Sequence, residues 1–234
     1  MSRVIRLLSV LLIAAAGLAA WALHSGRLVV PPHWNPWAPL AMAEPPNWLT
    51  RYKLDRTAAD PALCSAALAG STLAHNALPN NDTGDGCGWQ NAVRVNDARF
   101  APAFTLTCGA ALSLALWERH ALQPAAQAHF GQPVTRVEHF GSYACRNVRG
   151  ASGEGERRSQ HASANAFDVA GLRLGNGRRI SVLNDWSGDD PEAVFLREAR
   201  DGACRFFKGT LSPDYNAAHR DHFHLDRGPY RICR

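Results

Sequence analysis

The chain has 234 residues, of which 46% are hydrophobic and 19% charged. It is therefore long enough to bury the core of one domain, and too apolar for a disordered or fibrous protein. The formal net charge is +5, but Arg3, Arg6 and Arg27 precede the first acid, Glu44, which leaves 22 basic residues against 20 acidic ones in the rest of the chain. Because nucleic-acid-binding domains carry their basic excess on the folded part, we expect no nucleic-acid partner.

Residues 1–28 are predicted to be an N-terminal membrane anchor or signal segment. Arg3 and Arg6 precede an uncharged apolar run from Leu7 to Leu23, and this order is typical of an export signal. The run is long for the core of a cleaved signal and short for a membrane span, which needs about 20 apolar residues. We favour a retained anchor with its N-terminus inside, on the side of the two arginines. A cleaved signal and a buried core helix are the alternatives.

A proline- and tryptophan-rich linker is predicted over residues 29–50. Proline is excluded from helix interiors and favours extended backbone. Three tryptophans lie in this segment, Trp34, Trp37 and Trp48. Their amphipathic rings suit a membrane interface, and packing on the folded domain is the equal alternative. The folded domain is then expected over residues 51–234.

The cysteines support export. Six of them follow the linker, at positions 64, 87, 108, 145, 204 and 233. An even count after an export-like segment predicts three disulfides in an oxidising compartment, and six cysteines allow 15 pairings. We expect Cys204–Cys233 to be one of them, because it would tie the last residues to the domain. Six free thiols in a cytosolic protein are the alternative.

The helices are predicted from capping residues and apolar runs. One covers residues 60–70, with Asp60 as N-cap and Pro61 in the first helical position. A second, largely buried helix covers 104–119, with a further helical turn before Gly131. A third covers 191–201 and is capped by Asp189 or Asp190. Residues 79–91 and 150–160 are predicted to be polar loops.

The strands are predicted in the second half of the chain, over residues 134–140, 166–174, 179–184, 206–212 and 222–228. The turn residues 175–178 predict a hairpin between the second and third of them. Because the predicted helices precede most of the strands, we expect an α+β fold in which N-terminal helices pack on a central antiparallel sheet.

The candidate catalytic and metal-binding residues lie in two short clusters, Ser159–Asp168 and His219–Asp226. Histidine and aspartate are ordinary zinc ligands, and a catalytic zinc uses three protein ligands and keeps one open position. Residues two apart on a strand face one side of a sheet, so His222 and His224 would share a surface. The pair His161 and Asp168 would reach that surface from the preceding loop and strand. The sequence therefore predicts a metal site on the sheet.

The two clusters also carry a family resemblance. The motif S-x-H-x-x-(small)-x-A-x-D, followed by H-x-H, resembles the zinc signature of D-Ala-D-Ala carboxypeptidases, murein endopeptidases and hedgehog-type domains. The wider stretch, over about residues 45–234, is similar to the bacterial extensin-like C-terminal domain family. The resemblance implies a hedgehog or D-Ala-D-Ala peptidase-like fold with a zinc ion held by His161, Asp168 and His224.

The resemblance also implies a general base beside the metal. His222 stands where the related peptidases keep a histidine, and His219 completes the triple-histidine form of murein endopeptidases. Some relatives place a glutamate three residues before the last ligand, and here that position is Asp221. We rank His222 first, Asp221 second and His219 third as the base.

Substrate contacts are implied as well. Arg146 resembles the arginine that binds the substrate carboxylate, a task that suits a guanidinium fork, and Ser159 is a second candidate for substrate binding. Ala164 departs from the glycine usual in the peptidases. The resemblance implies a zinc-dependent peptidase that hydrolyses peptidoglycan cross-link or stem peptides, in the periplasm and anchored to the inner membrane. The alternatives are a non-catalytic wall-binding or scaffolding domain with a structural zinc, and a metal-free interaction domain.

Overall fold

The computed structural model describes residues 3–150 and 153–234. Its first helix, α1 (Arg3–His24), buries none of its residues. Within the described residues, α1 is the one helix long and apolar enough to cross a membrane. Length and composition alone do not separate a retained anchor from a signal sequence, so that choice stays a prediction.

The remaining helices and the strands follow in chain order. The helices are α2 (Thr50–Ala59), α3 (Pro61–Ala69), α4 (Cys108–Trp117), α5 (Gln123–Phe130), α6 (Val182–Asp185) and α7 (Pro191–Ala203). The strands are β1 (His75–Leu78), β2 (Asn81–Gly84), β3 (Cys87–Trp89), β4 (Ala92–Val95), β5 (Phe104–Thr107), β6 (Val134–Gly141), β7 (Asn147–Gly150), β8 (Gly153–Arg158), β9 (Ala166–Leu174), β10 (Arg179–Ser181), β11 (Gly209–Leu211), β12 (Phe223–Asp226) and β13 (Ile232–Cys233). The mixed α+β class is confirmed.

Side-chain caps begin two of the helices where the sequence predicts them. The carboxylate of Asp60 accepts hydrogen bonds from the amides of Ala62 and Leu63 at the start of α3. The carboxylate of Asp190 accepts from the amide of Ala193 at the start of α7. Such caps satisfy amides that have no partner inside the helix. Asp190, and not Asp189, is therefore the cap of α7.

The long buried helix predicted over 104–119 is wrong in its first turn. Phe104–Thr107 forms β5, and the helix begins at Cys108. The Thr107 hydroxyl accepts from the amide of Ala110 and so caps α4. All ten residues of α4 are buried, and the helix continues through a π-helical turn into α5, which ends at Gly131 with a left-handed φ of 60°. Apolar composition alone could not separate a buried strand from a buried helix here.

A six-stranded sheet forms the centre of the domain, with β9 as its middle strand. One edge of β9 pairs with β6 along most of its length. The other edge pairs first with β12 and then with β10. The order continues from β12 to β11 and β13, and all pairs are antiparallel except β11 with β13. A smaller antiparallel sheet has the order β1, β4, β5.

Both predicted polar loops contain hairpins, which corrects the sequence analysis. Residues 79–91 hold the pair β2–β3, and the stretch from 147 to 158 holds the pair β7–β8. Residues 151 and 152, within the predicted loop 150–160, lie outside the described residues. Arg158 fixes the two hairpins against each other, because it donates to the carbonyl of Asp85 at 2.6 Å and to Oδ1 of Asn147 at 2.9 Å. These polar strands lack the apolar alternation that predicts a half-buried strand.

Three disulfides join the six cysteines, and Cys204–Cys233 is among them as expected. Cys64–Cys108 ties α3 to the start of α4. Cys87–Cys145 ties the β2–β3 hairpin to the segment that follows β6. The described chain has no free cysteine. This pattern agrees with an extracytoplasmic location.

Candidate metal centre

The register of the central sheet places Asp168 directly opposite His224. Asp168 lies on β9 and His224 on β12, and the two are cross-strand partners. Opposed residues of antiparallel strands have their side chains on one face at about 5 Å between Cβ atoms. Here His224 Nδ1 lies 3.0 Å from Asp168 Oδ1. The pairing therefore joins the two sequence clusters at one point.

His161 reaches the same point from a 3-10 turn, Gln160–Ser163. Ser159 is its N-cap, and the Ser159 hydroxyl accepts from the amide of His161. Ala164 ends the turn with a φ of 53°, in the left-handed region that costs a residue with a Cβ about 1 kcal/mol and that glycine adopts freely. His161 Nε2 lies 3.1 Å from His224 Nδ1 and 3.1 Å from Asp168 Oδ2.

The three donor groups fit a zinc ion. Tetrahedral zinc with ligands at 2.0–2.1 Å requires donor atoms about 3.3 Å apart. The two ring nitrogens lie 3.1 Å apart, and each has one oxygen of Asp168 at 3.0–3.1 Å, Oδ1 for His224 and Oδ2 for His161. The second nitrogen of each ring also has an acceptor: His161 Nδ1 donates to the carbonyl of Ser142, and His224 Nε2 donates to Asp226, both at 3.0 Å. In neutral imidazoles these bonds would place the lone pairs on His161 Nε2 and His224 Nδ1, the nitrogens that face Asp168, and such an outer acceptor is typical of metal-bound histidines.

The electrostatics of the cluster keep Asp168 ionised. Burial would raise the pKa of Asp168, but hydrogen bonds and the charges of His161 and His224 hold that pKa far below its usual range. Burial would likewise lower the pKa of His224, but its hydrogen bonds with Asp168 and Asp226 outweigh this effect and raise the pKa to about 9. Two carboxylates thus stabilise the protonated His224 ring in the metal-free cluster, so a metal ion would replace a proton at His224 Nδ1.

His222 and Asp221 form a pair beside the three donors. His222 Nδ1 donates to Asp221 Oδ1 at 2.9 Å, and His222 Nε2 lies 3.8 Å from Asp168 Oδ1. The predicted common face of His222 and His224 is consistent with this placement. Because Asp221 accepts a hydrogen bond from Nδ1–H of His222, the lone pair of the neutral ring is on Nε2, the nitrogen that faces the cluster. The two leading candidates for the base are therefore one hydrogen-bonded unit.

His219 and Arg146 lie at the edge of the cluster. The His219 ring centroid is 5.2 Å from that of His222 and 5.8 Å from that of His224. His219 Nδ1 contacts Asn216 Oδ1 at 2.7 Å. Burial and the neighbouring histidines lower the pKa of His219 to about 4, and the charge of Arg146 contributes to this shift. The structure thus brings Arg146 within electrostatic range of His219, on the segment held by Cys145.

Ser159 occupies a structural position. Its side chain is buried and caps the turn of His161, and its amide donates to the carbonyl of Arg146 at 3.1 Å. Ser159 therefore joins the Arg146 segment to the ligand turn. Its contact with substrate stays a prediction.

Four neighbours of the cluster were not among the predicted site residues. Ser142 and Asp226 hold the ligand histidines, as described above. Phe140 is 62% exposed with its ring centroid 5.6 Å from that of His222, and Tyr215 is 44% exposed at 5.5 Å from His219. Exposed aromatic rings beside such a cluster are candidate substrate contacts. Only Asp226 had a signal in the sequence, since it follows His224 at strand spacing.

A cavity of about 650 Å³ lies elsewhere in the domain. It is lined by the β2–β3 hairpin, the end of α2 and the start of α4, with Ser163 and Asn165 from the chain between two of the cluster residues. None of the described cluster residues lines it. The candidate site is therefore defined by the possible metal ligands His161, Asp168 and His224, and not by this cavity.

Comparison with known proteins gives one match. The family model described as Extensin-like protein C-terminus matches residues 62–234, a stretch that contains every residue of the cluster. No curated protein and no solved structure matches the chain.

Proposed function

We propose, from the premise that the chain belongs to the extensin-like protein C-terminal family, that it is an exported zinc-dependent hydrolase of peptidoglycan peptides. The observation that carries the proposal is the arrangement of His161, Asp168 and His224. One ligand atom from each of the three residues lies within 4.8 Å of the others, and each imidazole is oriented by a second acceptor. The match to the family itself names no activity.

Each residue of the cluster has a role in the proposed reaction. His161, Asp168 and His224 would hold a zinc ion, and the chemistry that such an ion would supply is a bound water with a pKa of about 7 and Lewis-acid polarisation of a carbonyl. His222 accepts a proton at Nε2 and delivers it to the leaving amine, while Asp221 keeps the proton of Nδ1 in place. Arg146 binds a carboxylate of the substrate peptide. Phe140 and Tyr215 form the apolar walls beside the histidines.

Zinc content and peptide cleavage test the proposal. The purified full chain should contain about one zinc per molecule, and His161→Ala and His224→Ala should lose it. His129→Ala is the matched control, because His129 pairs with Glu198 outside the cluster. Peptidoglycan digests analysed by mass spectrometry should show new amine ends with the wild type and His129→Ala, and none with His161→Ala or His224→Ala. Wild-type protein that binds no zinc would overturn the proposal.

A scaffold with a structural zinc is the second candidate, and one observation favours it. The donors are almost fully buried, with His161 3% exposed and Asp168 8% exposed. His222→Gln separates the two functions, because it removes the base and none of the three donors. For the hydrolase we expect zinc to be retained and cleavage to fall about 10²- to 10⁴-fold. Zinc bound by the wild type without any cleavage would assign the scaffold.

A further inference from the structure

Three tryptophans stand exposed on the segment that follows α1. Trp37 is 79% exposed, Trp48 76% and Trp34 48%. The segment that carries them is held against α2 by hydrogen bonds, since Arg56 donates to the carbonyl of Trp37 at 2.9 Å and Lys53 to the carbonyl of Pro32 at 2.7 Å. The rings therefore face water from an ordered backbone, and burial on this domain does not account for them.

Two arginines lie beside one of the tryptophans, Trp48. Arg51, Arg205 and Trp48 line a cavity of about 330 Å³. Arg51 donates to the carbonyl of Cys204 at 3.1 Å, and the guanidinium of Arg205 lies 5.3 Å from the centre of the Phe206 ring. Within the described residues neither arginine has a carboxylate partner. A guanidinium fork without a carboxylate matches the geometry of a phosphate group.

We give the name Trp–Arg face to five exposed or half-exposed residues, Trp34, Trp37, Trp48, Arg51 and Arg205, of which Trp48 and the two arginines line one cavity. The side-chain amide of Asn47 donates to the carbonyl of His33 at 2.8 Å, and this bond holds the stretch that contains Trp34 beside the stretch that contains Trp48. The acid of this segment, Glu44, lies 3.5 Å from the ring nitrogen of His33. The face is thus apolar and basic, with one acid that has a histidine partner.

We propose that the Trp–Arg face docks the folded domain on an anionic phospholipid surface. Tryptophan rings collect at the headgroup level of a bilayer, and arginines near an anionic leaflet are attracted to its phosphates. A membrane is the partner that we propose because α1, which is long and apolar enough to cross one, ends at His24. Trp34 follows ten residues later, so at most about 36 Å of extended chain separates it from the end of α1. Arg51 and Arg205 contact a lipid phosphate, and the rings of Trp37 and Trp48 lie among the headgroups.

Quenching of tryptophan fluorescence by brominated lipids tests the docking. The full chain is reconstituted in nanodiscs of zwitterionic phosphatidylcholine, with or without anionic phosphatidylglycerol, and the acyl chains are brominated near the headgroup. We expect stronger quenching in the anionic discs, and the double variant Trp37→Phe/Trp48→Phe should lose that increase. Trp89→Phe, on the β2–β3 hairpin, is the matched control and should keep it.

Arginine variants test the charged half of the face. Each basic residue near an anionic surface contributes enough attraction that Arg51→Gln/Arg205→Gln should shift the docking equilibrium about 30-fold toward the free domain. Arg94→Gln, an exposed arginine on β4, should leave it unchanged. Equal quenching in both kinds of nanodisc, or in both double variants and wild type, would overturn the proposal. A concentration-dependent dimer whose tryptophans are not quenched would assign the face to a second copy of the chain. None of these results depends on zinc or on peptide cleavage.

Discussion

Asp226 offers the sharpest test of the proposed metal centre, because it would act on a bound zinc ion only through His224. Its Oδ2 accepts from His224 Nε2 at 3.0 Å, and its Oδ1 accepts from the amide of Gly228 at 2.6 Å. The substitution Asp226→Asn keeps the shape and the bond from Gly228 but removes the negative charge behind the imidazole. Loss of such a partner costs metal affinity about 10- to 100-fold, equivalent to about 1.4–2.7 kcal/mol.

Gly209 provides an independent way to disturb the same carboxylate. A Cβ at Gly209 would lie 2.3 Å from Asp226 Oδ2, so Gly209→Ala must displace Asp226 from His224. We expect this variant also to bind zinc more weakly, although it alters no ligand and no charge. Gly155→Ala is the matched control in a strand, because the nearest atom there is an ordinary 3.5 Å away.

The assay is competition for zinc between the metal-free protein and a chromophoric chelator at fixed pH. Urea unfolding of each metal-free variant shows separately whether the fold is intact. Weaker zinc binding by Asp226→Asn and Gly209→Ala, with Gly155→Ala unchanged, is the expected pattern. Wild-type affinity in both of the first two variants would refute the positioning role of Asp226.

Three further predictions concern stability. Cys87→Ser/Cys145→Ser should lower the free energy of unfolding by about 4 kcal/mol in urea titrations, because the disulfide closes a loop of 58 residues. A loss below about 1 kcal/mol would contradict this prediction. Phe167→Ala should lower the free energy of unfolding by about 3–5 kcal/mol in the same titration, because the ring is fully buried and stacks on Phe104. A nearly unchanged free energy would contradict this, and would mean that neighbouring side chains fill the space that the ring leaves. Burial would raise the pKa of Asp97, but hydrogen bonds from Arg99 outweigh it and lower that pKa. Its contribution is therefore complete above pH 4 and lost as pH falls through the lowered folded-state pKa, so Asp97→Asn should flatten the acid side of the stability profile. An unchanged profile would be the contrary result.

The candidate site was predictable where its signal lies in short spacings. His161 and Asp168 are seven residues apart, and His224 closes a two-residue strand repeat with His222, so types and spacing together indicated a metal site. The hydrogen bonds that orient the histidines were harder to predict from the sequence. The acceptor for His161 is the backbone carbonyl of Ser142, and a carbonyl is present at every residue, so nothing in the sequence marks it.

The sequence by itself determined the features that depend on neighbouring residues. Asp60 and Asp190 cap their helices because a carboxylate two or three residues away can reach the free amides, and the turn residues 175–178 predicted the hairpin between β9 and β10. The tertiary structure alone decided which strands meet. The opposition of Asp168 and His224 depends on the pairing of β9 with β12, and the start of α4 at Cys108 depends on β5 pairing with β4. Contacts between distant residues arise from the packing of the whole chain, and a local pattern holds no record of them.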